Sequence, residues 1–401
     1  YRKMFISNAL KSRVEKFPTW ALSLYAALTS FGVYFCMYAF RKPYTAAGFE
    51  GMSYLHINFK VWLVTAQVLG YMLSKFYGIR FISAMKGEQR AVTIIKLISF
   101  AWLSLVLFAI VPAPYNIIFL FLNGFPLGMV WGLVFAYVEG RKTTEFIGAV
   151  LCCSFSLSSG IVKSVGKSIM LYWHVNEFWM PFVTGALFFL PMLLFTWLLN
   201  HVPAPSKEDV EFRGIRPPMT KEERKTFLAM FTPGVVVIVA TYVLLTILRD
   251  FRDNFANELY TELGYGNNAS IFTTTEIPVS LVVLACMSML ILIKNNFRAF
   301  LINHYIVIGG YALALISTLL FMHRYIDPII WMTMIGTGLY SSYVPFNALY
   351  FERMIATYKI RSNVGFIMYV ADAFGYLGSV LILFVKEFIG VQLSWTSFFT
   401  N

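Results

Sequence analysis

Charge is scarce in this chain of 401 residues, at only 13% Asp, Glu, Lys and Arg, and the residues that hold metals are scarcer still, with 4 cysteines and 5 histidines. Cys36, Cys152, Cys153 and Cys286 all fall inside apolar stretches without metal-ligand spacing, and His56, His174, His201, His304 and His323 are scattered around the ends of such stretches. This excludes a metal site and a disulfide framework, and no cofactor is expected. No nucleophile elbow and no phosphate-cradling glycine loop occurs either, so an enzyme has no visible catalytic constellation. The basic opening YRKMFISNALKSRVEKF runs straight into a full-length apolar stretch with no small-residue cleavage pattern.

What is present is hydrophobicity, 58% apolar and 18% aromatic, which no soluble protein sustains over this length. An all-α integral membrane protein is expected. Stretches long enough to span run at 20–40, 58–77, 91–111, 115–137, 146–172 and 178–199, then at 233–251, 268–293, 300–322, 328–351 and 363–384. The ending LSWTSFFTN reads as the start of another apolar run, so a twelfth span is expected past it. The segment 201–231 is rich in proline and charge and separates a first six-helix bundle, 1–200, from a second, 232–401. Membrane lipid is thus a partner.

Most of the 32 Lys and Arg residues fall in segments that an N-terminus-inside topology places in the cytoplasm. Only Lys60, Arg324 and Lys386 fall on the other side. The net charge of +12 is therefore a signature of topology, with N-terminus and linker cytoplasmic, and not a nucleic-acid footprint.

Against this apolar background a few charges lie deep. In GVVVIVATYVLLTILRDFR, Arg249 comes after roughly 22 Å of helix rise, still within a hydrocarbon core of about 30 Å. Arginine at such depth persists mainly where it faces a water-filled cavity or an ion partner. Arg252 shares its helix face, with Asp250 and Asp253 alongside. Arg41 and Lys42 lie at the far end of the first span, about 32 Å from Trp20, where snorkelling to the headgroups competes with a cavity role. The uncharged continuation, Tyr44 to Phe49, could prolong the helix past them, kinked at Pro43. Lys75, about 24 Å along the second span, faces the same two alternatives, and Lys163 and Lys167 share one face of the fifth.

Guanidinium forks match phosphate and carboxylate oxygens, and ammonium groups add compact charge, so these residues suit a small anion. Glu276 and Asp372 lie about 12–17 Å into their helices, which gives them an ion-pair role with Arg249 or Arg252, or a role in proton coupling. Tyr38 and Asn347 are candidates for hydrogen bonds to the organic part of a substrate, as are Tyr44, Tyr242, Tyr340, Tyr343, Tyr369 and Tyr376.

Several motifs resemble one known family. The Arg41-Lys42 pair, TILR ending at Arg249, GYMLSKF around Lys75, GFPLGMVWG at Gly124 to Gly132 and FGYLGSV at Phe374 to Val380 are together similar to the organophosphate:inorganic phosphate antiporters of the major facilitator superfamily. That resemblance implies two pseudo-symmetric six-helix bundles and alternating access, with one arginine of each half holding substrate phosphate. It also implies a phosphorylated metabolite as substrate, inorganic phosphate as counter-ion (a proton being the other coupling ion weighed) and a bacterial inner membrane. Where the family carries its binding histidine this chain has Phe155, and Lys163 and Lys167 replace an apolar continuation. The alternative class is a non-transporting scaffold or receptor that binds a protein partner, which has no need for costly buried arginines.

Overall fold

The computed structural model describes residues 7–83, 85, 87–209, 221–358, 364–388 and 393–400. The linker residues 210–220 and the Tyr369 side chain lie outside the described residues. Apolar sequence without internal water partners must satisfy its own backbone, and the chain accordingly folds as helices. They are α1 (Asn8–Val14), α2 (Thr19–Tyr38), α3 (Phe59–Ser83), α4 (Arg90–Ile110), α5 (Ile117–Phe135), α6 (Thr144–Trp173), α7 (Met180–Leu199), α8 (Lys221–Asn254), α9 (Ala256–Glu262), α10 (Ile271–Leu292), α11 (Asn296–Met322), α12 (Pro328–Pro345), α13 (Phe351–Tyr358), α14 (Val364–Phe388) and α15 (Trp395–Thr400). Each of the eleven spans expected from hydropathy is matched by one helix of 18 or more residues, the four short ones being α1, α9, α13 and α15.

Seven of the described helices are long and apolar enough to cross a membrane. The exposed faces agree: on α11 Ile308, Leu315, Ile316 and Leu319 are all between 47% and 63% exposed, an apolar stripe of the kind a lipid-facing helix presents. The chain is an integral membrane protein.

By its internal contacts the chain forms two compact units. The first comprises Tyr1–Arg213 and Ala256–Thr274, the second Gly214–Phe255 and Thr275–Asn401. In the first, α2 packs on α6 and α7, α4 on α5 and α7, and α3 runs closely along α5. Glycine permits that approach: a Cβ on Gly70 would strike the Phe121 carbonyl, and one on Gly124 the Gln67 carbonyl. At the linker side, the Ser7 N–H donates to His201 Nε2 (2.9 Å) and ties α1 to the end of α7.

In the second unit α8 packs on α14 and α12, and α11 on α12. Side chains at Gly375 and Gly378 would collide with Thr246, Val243 and Ile247, so FGYLGSV is the surface on which α14 meets α8.

The stretch 256–274, which joins α8 to α10, belongs to the first unit and not to its neighbours in sequence. An ionic contact explains this. Lys60 Nζ donates to both Glu258 carboxylate oxygens (2.6 and 2.7 Å) and to the Thr45 carbonyl (2.7 Å), with Lys60 wholly buried. Ser164 Oγ meets both the Thr273 N–H (3.1 Å) and its hydroxyl (2.7 Å) further along.

Candidate functional site

Helix α2 stops short of the cationic pair. Proline lacks an N–H and disfavours helix in the residue before it, so the chain tightens through i to i+3 bonds (Phe40 N–H to Met37, Arg41 N–H to Tyr38) and then turns as a short 3₁₀ segment, Pro43–Ala46. The helix is therefore not prolonged past Arg41 and Lys42. Its loose carbonyls are nevertheless satisfied, as a membrane interior requires. Asn123 Nδ2 donates to Phe40 O (2.9 Å), Gln67 Nε2 to Arg41 O (2.9 Å) and Thr45 Oγ1 to Lys42 O (2.7 Å). Gln67 and Asn123 also bond each other (2.8 Å).

Held this way, Arg41 is only 7% exposed. Its guanidinium lies 3.8 Å from the centre of the Tyr71 ring, and the half-buried Lys75 brings its ammonium to 5.1 Å from the same ring. Such cation–π contacts are worth about 2 kcal/mol when desolvated. The Tyr71 hydroxyl meets that of Tyr34 (3.3 Å), whose ring packs edge-on against Tyr38, Trp131 and Phe155. Phe155 thus belongs to an aromatic wall beside the cations, and Tyr38 and Lys42 are both buried.

The second unit repeats the construction with other residues. Arg249, 8% exposed, places its guanidinium 4.1 Å from the centre of the Tyr343 ring and donates from Nη2 to Asp250 Oδ1 (2.6 Å). Asp250 Oδ2 accepts from Ser379 Oγ (3.0 Å). Arg249 Nε is buried and makes no hydrogen bond among the described residues.

Arg252 is differently occupied. Nη1 donates to Glu276 Oε1 (2.6 Å), while Nε and Nη2 both donate to the Met332 carbonyl (3.2 and 2.9 Å). All three nitrogens are engaged within α8, α10 and α12, and Gly336 leaves the room they need. Asp372 instead meets the Tyr242 hydroxyl, which also lies 3.0 Å from the Tyr343 hydroxyl. Asn347 sits in a π-helical turn, Phe346–Tyr350, with Nδ2 donating to the Tyr343 carbonyl (3.2 Å).

Lys163 and Lys167 share a face of α6, but that face meets the 256–274 stretch. Lys167 Nζ donates to Asn257 Oδ1 (2.9 Å), and Lys163 lies 5.9 Å from the centre of the Phe272 ring. A cavity of about 760 Å³ opens nearby, lined by Ser164, Ser168, Tyr172, Trp173, Tyr265 and Asn268 among others. None of the expected cations lines it.

Sequence reasoning passed over Tyr71, Gln67, Asn123, Ser379 and Glu258. A signal existed for the first two. Gln67, Tyr71 and Lys75 recur every fourth residue, a polar stripe along one face of an otherwise apolar helix.

A family model described as a family of unknown function, DUF5690, matches residues 43–401. The chain belongs to that family. No curated protein matches this DUF5690 chain in sequence. Solved structures do match it in shape. The nucleoside transporter NupG covers 94% of this DUF5690 chain and 95% of its own, at 15% identity and a TM-score of 0.61. The partially occluded, inward-open xylose transporter XylE of E. coli covers 95% and 96%, at 12% identity and a TM-score of 0.58. The human organic anion transporter MFSD10 covers 96% and 97%, at 13% identity and a TM-score of 0.58. At such identities the likeness concerns the fold, and the fold of this DUF5690 member is that of the major facilitators.

Proposed function

We propose that this chain is a secondary transporter that carries a small organic anion, a phosphorylated metabolite, across a bacterial inner membrane by alternating access, with its N-terminus and linker cytoplasmic. The observation that carries this reading is the pair of arginines, Arg41 and Arg249, each buried in its own unit and each laid on a tyrosine ring at about 4 Å. A scaffold gains nothing from burying two guanidinium groups, whereas an anion offsets their cost. The unused Nε of Arg249 is a donor ready for an oxygen.

The fold neighbours support the transporter class and leave the cargo open, since they are a nucleoside, a xylose and an organic anion transporter. The charges support an anion. In this reading Arg41, Lys42, Lys75 and Arg249 hold it, with Tyr38 and Asn347 beside its organic part. Arg252 with Glu276 braces the second unit, and Lys163 and Lys167 hold the 256–274 stretch.

Purified protein in liposomes loaded with inorganic phosphate, offered labelled phosphate esters and organic acids, tests the reading. Uptake of at least one phosphate ester above protein-free vesicles is expected. Arg41→Lys and Arg249→Lys should each weaken binding by about 1.5–3 kcal/mol, roughly tenfold to more than a hundredfold, because an ammonium cannot reproduce the fork. If both arginines hold one ligand, the double variant should be little worse than either single one. Wild-type uptake and affinity in either single variant would end this assignment.

A further inference from the structure

Successive residues of a helix point about 100° apart and do not face each other. Asp250 nevertheless lies with its carboxylate against the guanidinium of Arg249, Nη2 donating to Oδ1 (2.6 Å). What turns it there stands on another helix. Ser379 Oγ of α14 donates to Asp250 Oδ2 (3.0 Å). The same hydroxyl lies 3.1 Å from the Gly375 carbonyl, one turn earlier, but it owns a single hydrogen and a carboxylate is the stronger acceptor. Gly375 gives α14 the room to bring Ser379 so near, since a Cβ there would come within 2.9 Å of the Thr246 hydroxyl on α8. Asp250 and Ser379 are both buried.

Two properties of Arg249 follow. Its direction is set before any ligand arrives, with the Tyr343 ring at 4.1 Å against the guanidinium and Asp250 on Nη2, and Nε is left as a buried donor with no hydrogen bond among the described residues. Its charge is set as well. A guanidinium in contact with a carboxylate keeps its oriented donors but presents little net charge, so a second negative charge on a ligand would be repelled by Asp250 about as much as Arg249 attracts it.

We infer that Asp250, held by Ser379, is the positioning and specificity-determining residue of Arg249: it aims the fork and limits the charge offered, so that the group received there is a singly charged one, such as a phosphodiester or a singly ionised phosphate ester, and not a phosphate dianion. This rests on the anion reading for Arg249. Asparagine at 250 separates the two roles. Its amide oxygen still accepts from Nη2 and its amide N–H can donate to Ser379 Oγ, so the shape is kept while one negative charge is removed.

Sulfate and methanesulfonate test this, because both are tetrahedral and fully ionised at neutral pH and they differ by one charge. Their binding to the purified protein is measured by calorimetry at fixed ionic strength, with thermal unfolding as the check that each variant is folded. The wild type should bind the two about equally, and Asp250→Asn should raise the preference for sulfate roughly tenfold or more. A purely structural role for Asp250 would weaken both anions alike and leave the ratio where it was. Ser379→Ala, which loosens the carboxylate, should weaken methanesulfonate several-fold, and wild-type affinity in that variant removes Ser379 from the assignment. An unchanged ratio in a folded Asp250→Asn overturns the inference alone. So does a wild type that already prefers sulfate more than roughly tenfold, a result that needs no variant to fold. A wild type that binds neither anion overturns the anion reading of Arg249, and the inference with it.

Discussion

The Lys60–Glu258 pair shows how a single buried ion pair can hold a connection in place without being stabilising in itself. Desolvating two charges costs several kcal/mol, which their mutual attraction repays only when the remaining hydrogen-bond sites are also filled. Here the Thr45 carbonyl takes part of the ammonium, and the Glu258 side chain is 11% exposed. Burial raises the Glu258 carboxyl above its ordinary range, although Lys60 beside it pulls the other way. Removing one partner should therefore cost far more than removing both. Glu258→Leu alone is expected to lose about 3–5 kcal/mol of stability, and Lys60→Met with Glu258→Leu to recover most of it. Thermal unfolding in detergent measures this, and a double variant as unstable as the sum of the singles would refute it. The same pair shows why the roles of Lys163 and Lys167 were hard to read in sequence. A tally of charges within spans contains no Glu50, Glu177 or Glu258, the acids that lie near Lys167 once the chain is folded. Arg249 was legible because its depth follows from helix rise, whereas the same count for Arg41 left headgroup snorkelling open. Tyr71 and Tyr343 were not singled out as their supports, because 23 tyrosines look alike until tertiary packing selects two.

Among elements, the spans were legible and their breaks were not. Apolar length specifies a helix wherever no water can serve the backbone, which is why each of the eleven apolar stretches read within 1–401 is matched by a helix. The end of α2 depends instead on amides from other helices, Gln67 of α3 and Asn123 of α5, which sequence does not bring together. The glycine-bearing motifs GYMLSKF, GFPLGMVWG and FGYLGSV proved to be packing surfaces, with Gly70 and Gly124 on one pair of helices and Gly375 and Gly378 on another. The entry to the linker carries its own clasp. Asp209 accepts from the backbone N–H groups of Lys142 and Ser206 (both 2.9 Å) and from the Ser206 hydroxyl (3.0 Å), while Arg141 donates to the Pro203 carbonyl. Burial works against the Asp209 charge, but these donors outweigh it and hold the carboxyl below the ordinary aspartate range. A depressed folded value contributes stability that is complete above the unfolded value and is lost as pH falls through the folded one. Hydrogen exchange over residues 203–209, corrected for its intrinsic pH dependence, should therefore show protection that declines from about pH 4 downward. The same loss should appear at neutral pH in Asp209→Ala, and protection unchanged in both would remove Asp209 from the clasp.

At the scale of the whole molecule, the two compact units do not divide at the linker alone. The first is discontinuous in sequence, because Ala256–Thr274 returns to it after α8. Cutting the chain after Arg213 thus yields a first piece that contains Lys60 but not Glu258, and Ser164 but not Thr273. A ribosome makes the same cut transiently. Domains fold in the order in which they are made, but this first unit has finished only when Thr274 has left the exit tunnel, by which time α8 of the second is already in the membrane. Its early helices must wait, inserted and incompletely locked, while the linker and a helix of the other unit are synthesised. Nascent chains arrested at increasing lengths should show residues 41–60 gaining protection from labelling only after Thr274 has emerged, and full protection in chains ending near Arg213 would show that the lock is not needed.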